Sequence, residues 1–140
     1  MDQDTAAGAA TGGVRLILRL EGLATLALAT AAFFATGGKP WLYLVLFFLP
    51  DLSFAAYALN PRLGAAIYNA AHSYLLPAVV GALGWLLGQT LVWQIAFILA
   101  AHIGFDRAFG YGLKYADGFN QTHLGRIGRP RAPASTPDES

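Results

Sequence analysis

Cysteine is absent from the 140-residue chain, and charged residues are scarce. Without cysteine the protein has no disulfides and no thiolate metal ligands. Charged residues make up 12% of the chain, about half of the roughly 25% found in soluble domains. The three histidines are too few for the histidine-rich boxes of membrane desaturases. Since 56% of the residues are hydrophobic, the composition indicates a single membrane domain.

Four apolar runs occupy most of the chain, each with roughly the 20 residues that cross a bilayer as a helix. We therefore predict an all-α fold, a bundle of four transmembrane helices. The runs extend over residues 14–36, 40–59, 63–87 and 91–113. The predicted divisions are a flexible N-terminal tail at 1–13, the four-helix membrane domain at 14–113, an interfacial basic segment at 114–128 and a disordered C-terminal tail at 129–140.

The positive charges predict the orientation of the bundle, because Lys and Arg near the span ends favour the cytoplasmic side. With four spans, Lys39 is the only cation on one side of the membrane. Trp41, Trp85 and Trp93 fall on that same side, as expected of an interfacial aromatic belt. Both termini are therefore predicted to be cytoplasmic. The opposing cations are Arg15, Arg19, Arg62, Arg107, Lys114, Arg126, Arg129 and Arg131.

Ionisable side chains within the apolar runs are the candidate functional residues, because such groups are costly in a bilayer and usually face the bundle interior. At about 1.5 Å rise per residue, they lie roughly 10 to 17 Å from the cytoplasmic ends of their helices. His102 and Asp106 are four residues apart and share one helical face. The common depth predicts one polar site in the cytoplasmic half of the bundle. Its candidate catalytic residues are Glu21, Asp51, His72, His102 and Asp106.

Three neighbouring residues are candidates for substrate binding. Asn69 precedes His72 by three residues and shares its face, and Tyr68 lies beside Asn69 in the sequence. Arg107 follows Asp106 and points about 100° further round the helix, so it can also point to lipid headgroups or to a neighbouring helix.

Four functions remain open for these residues. The first is an enzyme acting on a lipid-soluble small molecule, in which a carboxyl group serves as acid and a histidine as base or relay. The second is a site for a divalent transition metal such as iron, manganese or zinc, held by His72, His102 and Asp106. The third is proton or ion movement along buried carboxylates and histidines. The fourth is structural, with the polar groups pairing between helices.

Two prolines inside the runs predict kinks. Pro50 frees the carbonyl of Leu46 and Pro77 frees that of Ser73, because proline has no N–H to donate. Pro50 directly precedes Asp51, which favours a shaped site at this position. Pro77 is interpreted as a packing kink.

The segment after the last run is basic and weakly apolar, which favours contact with anionic lipid headgroups. Within it, "THLGRIG" at 122–128 can instead fold back over the polar site, and His123 is interpreted as an interfacial residue and not as a ligand. The expected partners are therefore the lipid bilayer, anionic headgroups and a lipophilic small molecule. A homo-oligomer is left open, and no nucleic acid partner is expected.

Five motifs carry a family resemblance: "LRLEG" at 18–22, "PDLS" at 50–53, "YNAAH" at 68–72, "HIGFDRAFGYGLKY" at 102–115 and "THLGRIG" at 122–128. With them the chain resembles a family of small bacterial integral-membrane proteins that carry a domain of unknown function. The resemblance covers roughly residues 14–128. It implies four membrane helices and a multi-pass protein of the bacterial inner membrane. It implies no activity, cofactor or catalytic residue.

Overall fold

The computed structural model describes residues 8–115 and 120–128 of the chain. Within these ranges the chain forms five α-helices, one 3-10 segment and two very short strands. The predictions for residues 1–7 and 129–140 lie outside the described residues. The helices are α1 (Gly12–Ala35), α2 (Pro40–Phe47), α3 (Pro61–Ala71), α4 (Leu75–Leu87) and α5 (Thr90–Phe109), the 3-10 segment is Leu49–Ala58, and the strands are β1 (Gln121–Thr122) and β2 (Gly125–Arg126).

Three helical stretches are long and apolar enough to cross a membrane, and a bent pair makes a fourth if it is counted as one span. The three are α1, α2 with the 3-10 segment, and α5; the pair is α3 and α4, bent by 42°. At about 1.5 Å per α-helical residue and 2.0 Å per 3-10 residue, α2 and the 3-10 segment extend about 32 Å, enough for a hydrocarbon core of about 30 Å. The all-α class is confirmed. The second and third apolar runs, however, are not single α-helices.

The outer surface of the helices is apolar. Leu28, Leu52, Leu75 and Leu86 are each between 70% and 75% exposed. Exposed apolar surface on every helical stretch indicates contact with lipid, because a soluble monomer rarely leaves so much of it uncovered. The described helices are therefore those of a membrane protein.

The central helix is α5, which packs against α1, α4 and α2. Its residues Ile98 and Ile103 are completely buried, as is Phe33 of α1. α1 and α5 approach closely at two glycines, since a Cβ on Gly104 would lie only 2.6 Å from the carbonyl oxygen of Gly22. Small residues at a crossing allow membrane helices to pack backbone against backbone. This contact holds the face of α5 that carries the polar residues toward the remaining helices.

The second span changes its helical form near Pro50. α2 ends at Phe47, and the Leu46 carbonyl accepts a hydrogen bond from the Phe48 N–H. The chain then continues as the 3-10 segment, with Asp51 in its first turn. The carbonyl that proline was predicted to free therefore has a partner within the chain.

The third span is broken at residues 72–74, just before Pro77. His72 directly follows α3 as its C-cap residue, and the Ser73 carbonyl accepts a 3.3 Å hydrogen bond from the Leu76 N–H. Irregular backbone at membrane depth is tolerated where protein surrounds it or where it lines a cavity. α3 packs mainly against the 3-10 segment, so the two broken spans cover each other.

The chain after α5 folds back onto the bundle. Lys114 pairs with Thr122, and β1 pairs antiparallel with β2. Thr122 and Leu124 are completely buried, and the Ala10 N–H donates to the His123 carbonyl over 2.7 Å. Within its described residues, the segment expected at the membrane interface therefore packs against protein.

Candidate metal centre

Four ionisable side chains from three parts of the fold converge inside the bundle. Each offers one donor atom, and the four atoms lie within 4.8 Å of one another. α5 supplies His102 and Asp106 from consecutive turns, the end of α3 supplies His72, and the 3-10 segment supplies Asp51. In the sequence, five residues are grouped into one predicted site by their depth and their helical face. The structure brings four of these five together.

The two histidines of this four-residue cluster face each other directly, with their Nε2 atoms 3.1 Å apart. Asp51 Oδ1 lies 3.4 Å from both Nε2 atoms, and Asp106 Oδ2 lies 3.6 Å from both. The side chains of His72 and His102 are 1% and 2% exposed, whereas those of Asp51 and Asp106 are 39% and 13% exposed. The cluster is therefore buried on its histidine side and accessible on its carboxylate side.

The hydrogen bonding of His72 fixes which ring nitrogen faces the cluster as an acceptor. Its Nδ1 lies 3.0 Å from the Tyr68 carbonyl oxygen, which can only accept, so Nδ1 carries the proton. A neutral ring then directs the Nε2 lone pair toward Asp51 and Asp106. A lone pair facing carboxylate oxygens is repulsive unless a cation or a proton lies between them. A backbone carbonyl on the far nitrogen is also the usual support of a metal-binding histidine.

The spacing of the donor atoms fits a tetrahedral metal ion. With metal bonds of about 2.0 to 2.1 Å to histidine nitrogen and carboxylate oxygen, neighbouring ligands of a tetrahedron lie about 3.3 to 3.4 Å apart. The measured nitrogen–nitrogen and nitrogen–oxygen distances run from 3.1 to 3.6 Å. These are five of the six distances among the donors, and all four donor atoms lie within 4.8 Å of one another. A small adjustment of the two carboxylates would therefore let one ion reach all four donors. Zinc prefers this geometry, and iron and manganese also accept imidazole and carboxylate ligands.

Aromatic rings surround the histidines. The Tyr68 ring stacks on His72 with centroids 3.8 Å apart, and the Phe47 ring meets His102 edge to face at 5.1 Å. Charges interact more strongly in such a low-dielectric setting than in water, and buried charges require a partner of opposite sign. Two carboxylates beside two neutral imidazoles therefore favour a bound cation.

A cavity of about 280 Å³ adjoins the carboxylate side of the cluster. We call it the carboxylate cavity. Burial lowers the pKa of Lys114 to about 8, against the raising effect of the Asp106 charge. Besides Asp51 and Asp106, the lining of the carboxylate cavity comprises Phe54, Tyr68, Phe105, Tyr111, Lys114 and Ile127.

Two of the substrate-binding candidates contribute to this cavity in different ways. Tyr68 lines it directly. Asn69 instead holds the backbone of Lys114, because its amide donates to the Lys114 carbonyl and accepts from the Lys114 N–H, both over 2.7 Å. This pair of hydrogen bonds connects α3 to the chain beyond α5 and fixes the position of the Lys114 backbone, from which the side chain extends.

Glu21 and Arg107 lie apart from the four-residue cluster. Glu21 is exposed on α1 and lines a different cavity, of about 490 Å³, together with Arg107 and His123. Arg107 is 7% exposed and donates to the carbonyls of His72 and Tyr111. The sequence allowed the Arg107 side chain to point either to lipid headgroups or to a neighbouring helix. In the structure it points to the end of the neighbouring helix α3.

His123 is likewise outside the four-residue cluster. It is half-buried, and its Nδ1 accepts a 2.8 Å hydrogen bond from the Leu113 N–H. Burial lowers its pKa, and the nearby Arg107 charge lowers it further. This histidine connects the folded-back segment to the end of α5.

Lys114 is the charged residue in the described lining of this cavity that the sequence did not identify as a site residue. A lysine just after a last span is typical of a side chain that extends to the membrane surface. A signal was present in the glycines at 110 and 112, which indicate a turn, and Gly110 does end α5 with a left-handed φ of 87°. The direction of the chain after that turn depends on pairing with Thr122, which no local pattern specifies.

Comparison with known proteins assigns the chain to a family. Residues 15–127 match the model of DUF4260, described as a domain of unknown function. The chain belongs to this family, and the match includes all four cluster residues and Lys114. No curated protein and no solved structure matches the chain. Its function is therefore argued from the geometry of the cluster and the carboxylate cavity.

Proposed function

We propose that this DUF4260 protein is a metal-dependent membrane enzyme that acts on a lipid-soluble small molecule. One observation carries the proposal: the nitrogen–nitrogen and nitrogen–oxygen distances among Asp51, His72, His102 and Asp106 match the spacing of ligands around a single tetrahedral ion, and all four donor atoms lie within 4.8 Å of one another. A divalent transition metal, with zinc the closest match, is the cation that this nitrogen and oxygen set selects.

The arrangement of the carboxylates supports a catalytic role over a purely structural metal. A catalytic ion needs an open coordination position, at which it would activate a substrate oxygen as a Lewis acid. His72, His102 and Asp106 would hold the ion, and the position of Asp51 would be the one that opens. Asp51 is the most exposed member of the cluster and borders the carboxylate cavity. Its carboxylate is therefore placed to exchange a proton with a molecule in that cavity, as general acid–base chemistry requires.

Interhelical pairing alone does not account for the cluster. Hydrogen bonds between membrane helices average about 0.6 kcal/mol. Each carboxylate placed at the centre of a span costs about 2.5 to 3.5 kcal/mol on insertion scales. Without a cation, the polar contacts of the four residues would not offset two carboxylates.

Ion translocation lacks a continuing path in the structure. A further cavity of about 460 Å³ lies between α4 and α5. Its lining includes Trp85, Trp93 and Phe97, with no Asp, Glu, His, Lys or Arg among the described residues that form it. A proton relay needs a chain of such groups, and the described lining of this cavity does not supply one.

The proposal includes a location in the bacterial inner membrane, with the bent pair α3 and α4 counted as one of four spans and both termini in the cytoplasm. The distribution of Lys and Arg supports this orientation. The four-residue cluster would then lie in the cytoplasmic half of the bilayer, open to lipid-soluble molecules and closed to the outside.

Metal analysis of the purified full-length protein in nonionic detergent tests the proposal. We expect about one transition-metal ion per chain, as one tetrahedral set requires. His72→Ala and His102→Ala should each abolish this stoichiometry. The matched control is His123→Ala, which removes the third histidine of the chain and should leave the metal content unchanged. A protein that stays metal-free after zinc, iron and manganese supplementation, or equal metal loss in all three variants, would overturn the proposal.

A further inference from the structure

Two arginines lie at the end of the bundle where α1 begins and α5 ends. Arg15 and Arg19 are exposed and four residues apart on α1, so they share one helical face. Arg19 is the eighth residue of the helix, which places it within about 12 Å of the helix start. Side chains on a helix lean toward its N-terminus, and long arginine side chains extend to the membrane surface. Both guanidinium groups therefore reach the level of lipid headgroups.

The end of α5 positions Arg19. Its Nε–H donates a 2.8 Å hydrogen bond to the carbonyl of Ala108, one of the last carbonyls of α5, which have no partner within their own helix. This contact engages only Nε, and a guanidinium also carries donors on both terminal nitrogens. Those nitrogens form the planar fork that binds two oxygens of a phosphate.

The folded-back segment positions Arg15. A Cβ on Gly125 would lie 3.1 Å from Nη2 of Arg15, and a Cβ on Gly110 would lie 3.9 Å from the same atom. Both glycines have a positive φ, of 121° and 87°, a backbone conformation that favours glycine. The Arg15 guanidinium therefore lies against bare backbone of β2 and of the end of α5. Contacts with segments distant in sequence thus place both arginines at one end of the bundle.

An apolar groove lies beside Arg19 between α1 and the end of α5. We call it the arginine groove. Its volume is about 370 Å³, within the range of roughly 300 to 1,000 Å³ typical of small-molecule sites. Its leucines and Phe109 are each more than half exposed, so the groove is open to the bilayer. The lining comprises Leu16, Arg19, Leu20, Leu23, Ala108 and Phe109.

The described charges at the arginine groove are positive. Within residues 8–115 and 120–128, no carboxylate forms an ion pair with Arg15 or Arg19. Glu21 follows Arg19 by two positions and points about 200° further round the helix. It lines the separate cavity that Arg107 also lines. An anion in the arginine groove would therefore meet two cations, with the Glu21 carboxylate directed away from it.

We infer that the arginine groove binds one phospholipid of net negative charge, from the leaflet in which α1 begins. Arg15 and Arg19 hold the phosphate, and the first part of one acyl chain lies along Leu16, Leu20 and Leu23. Basic pockets between membrane helices bind anionic headgroups in this way. A zwitterionic phospholipid has the same phosphate, but its ammonium is repelled by the arginines. A second copy of the chain matches less well, because a two-fold axis at this face would bring the same arginines toward each other. The inference is independent of the metal centre.

Native mass spectrometry of the full-length, delipidated protein in nonionic detergent tests the inference. The probes are phosphatidylglycerol and phosphatidylcholine with the same acyl chains, and the fraction of protein carrying one lipid gives each affinity. We expect one phosphatidylglycerol to bind saturably, at least about tenfold more tightly than phosphatidylcholine, since each cation near a membrane surface contributes about fivefold. Glycerophosphoglycerol, the same headgroup without acyl chains, should not displace the lipid at equal concentration.

Arg15→Gln should weaken phosphatidylglycerol binding about fivefold, and the double variant with Arg19→Gln about 25-fold. The single variant keeps the contact between Arg19 and Ala108, so it decides the test if the double variant does not fold. The matched control is Arg62→Gln, which removes another exposed cation, at the start of α3. It should change the affinity less than about twofold. Metal content should be equal in Arg15→Gln, Arg62→Gln and the unmodified protein.

Four outcomes would overturn the lipid site and leave the metal proposal standing. Equal loss of affinity in Arg15→Gln and Arg62→Gln would show diffuse attraction of the whole surface for anionic lipid. Equal binding of phosphatidylcholine would remove the selection for net negative charge. Displacement by glycerophosphoglycerol at equal concentration would identify a site for a soluble phosphate. Binding of a second protein chain at the expense of lipid, with Arg15→Gln unaffected, would identify the groove as a subunit interface.

Discussion

The Nε2 atoms of His72 and His102 lie 3.1 Å apart at the point where the third span breaks against α5. His72 has its proton on Nδ1, because that atom bonds the Tyr68 carbonyl. The facing nitrogen therefore offers a lone pair to a histidine 30 positions further along the chain. Such a contact is stable when a proton or a cation occupies the space between the rings. With Asp51 and Asp106 completing the set, a cation meets all four donors at once, and the predictions below follow from this arrangement and its supports.

Asp106→Asn should separate a metal site from structural pairing. The change keeps the shape of the side chain, replaces one acceptor oxygen with an NH₂ donor and removes the charge. We expect metal affinity to fall by about tenfold to a hundredfold, in line with about 1.5 to 3 kcal/mol for a charged contact. Metal-free protein should unfold in detergent at the same or a higher temperature, because an intramembrane carboxylate is gone. Metal titration and thermal unfolding of the same preparations give both quantities.

Glu21→Gln is the matched control for Asp106→Asn, because it makes the same carboxylate-to-amide change outside the four-residue cluster. Metal affinity should not change. Equal loss of metal in the two variants would show that the fold brings Glu21 into the site, contrary to its exposed position on α1. Loss of stability without loss of metal in Asp106→Asn would favour structural pairing.

Much of this site follows from local rules, and the remainder depends on long-range packing. Helical spacing alone places His102 and Asp106 on one face, and a count of depth brings Asp51 and His72 to their level. The depth of a residue along α1 does not report how this helix is rotated about its axis. Counting depth therefore could not show that Glu21 faces away from the cluster.

The prolines predict kinks in the second and third spans, but the form of these breaks and the position of Lys114 could not be predicted from local sequence rules. Proline predicts a local loss of one hydrogen bond, but the 3-10 form after Pro50 and the break at residues 72–74 arise where the two spans cover each other. Lys114 occupies its position because the chain returns to pair with Thr122. Contacts between residues distant in sequence determine all three features.

Arg107→Met should destabilise the bundle by about 2 to 4 kcal/mol, because the His72 and Tyr111 carbonyls would each lose a buried partner worth about 1 to 3 kcal/mol. The guanidinium also complements the negative end of α3. Thermal or denaturant unfolding in detergent measures the effect. Arg62→Met is the control, since Arg62 is exposed at the start of α3 and its loss should change stability by less than about 0.5 kcal/mol. If Arg107→Met and Arg62→Met changed the stability equally, Arg107 would have no specific role in capping the end of α3.

Gly104→Ala should loosen the contact between α1 and α5. The new Cβ would lie 2.6 Å from the Gly22 carbonyl oxygen and 2.7 Å from the Leu26 nitrogen, so the helices must separate, at a cost of about 1 to 3 kcal/mol. Gly81→Ala is the matched control on α4, where the nearest atom is the Ala96 Cβ at an ordinary 3.5 Å. There the higher helix propensity of alanine should give up to about 1 kcal/mol of stabilisation. Unfolding measurements that rank the two variants in the opposite order would contradict the close crossing.

The folded-back segment should weaken in acid because of His123. Burial and the charge of Arg107 hold the pKa of this histidine below its ordinary value of 6.5 in the folded protein. The unfolded segment therefore takes up a proton first, and stability is lost as pH falls through and below about 6.5. Protonated Nδ1 can no longer accept from the Leu113 N–H. The intrinsic rate of amide hydrogen exchange falls as the pH is lowered. Relative to this intrinsic rate, exchange of the Leu113 N–H should become faster as the pH is lowered from 7.5 to 5.5. In His123→Asn, whose side-chain oxygen can still accept, this acceleration should disappear; if it persists, another group is responsible.

Reporter fusions should place both termini on the cytoplasmic side. Alkaline phosphatase, which is active only outside the cytoplasm, should be active when it is inserted at Lys39 or at Gln89. These positions lie in the turn before α2 and the turn before α5. A fluorescent protein that matures only in the cytoplasm should be bright when fused after Lys114.

The expected pattern requires that α3 and α4 together cross the membrane once. If this pair, bent by 42°, forms one span, Arg62 and Gln89 lie on opposite sides of the membrane. If the pair were instead a re-entrant loop, Gln89 and Arg62 would lie on the same side, and the fusion after Lys114 would report the outside. That pattern would contradict the packing of the chain after α5 against the chain before α1, where the Ala10 N–H donates to the His123 carbonyl. The fusion at Gln89 therefore tests both the crossing by α3 and α4 and the antiparallel packing of α1 and α5.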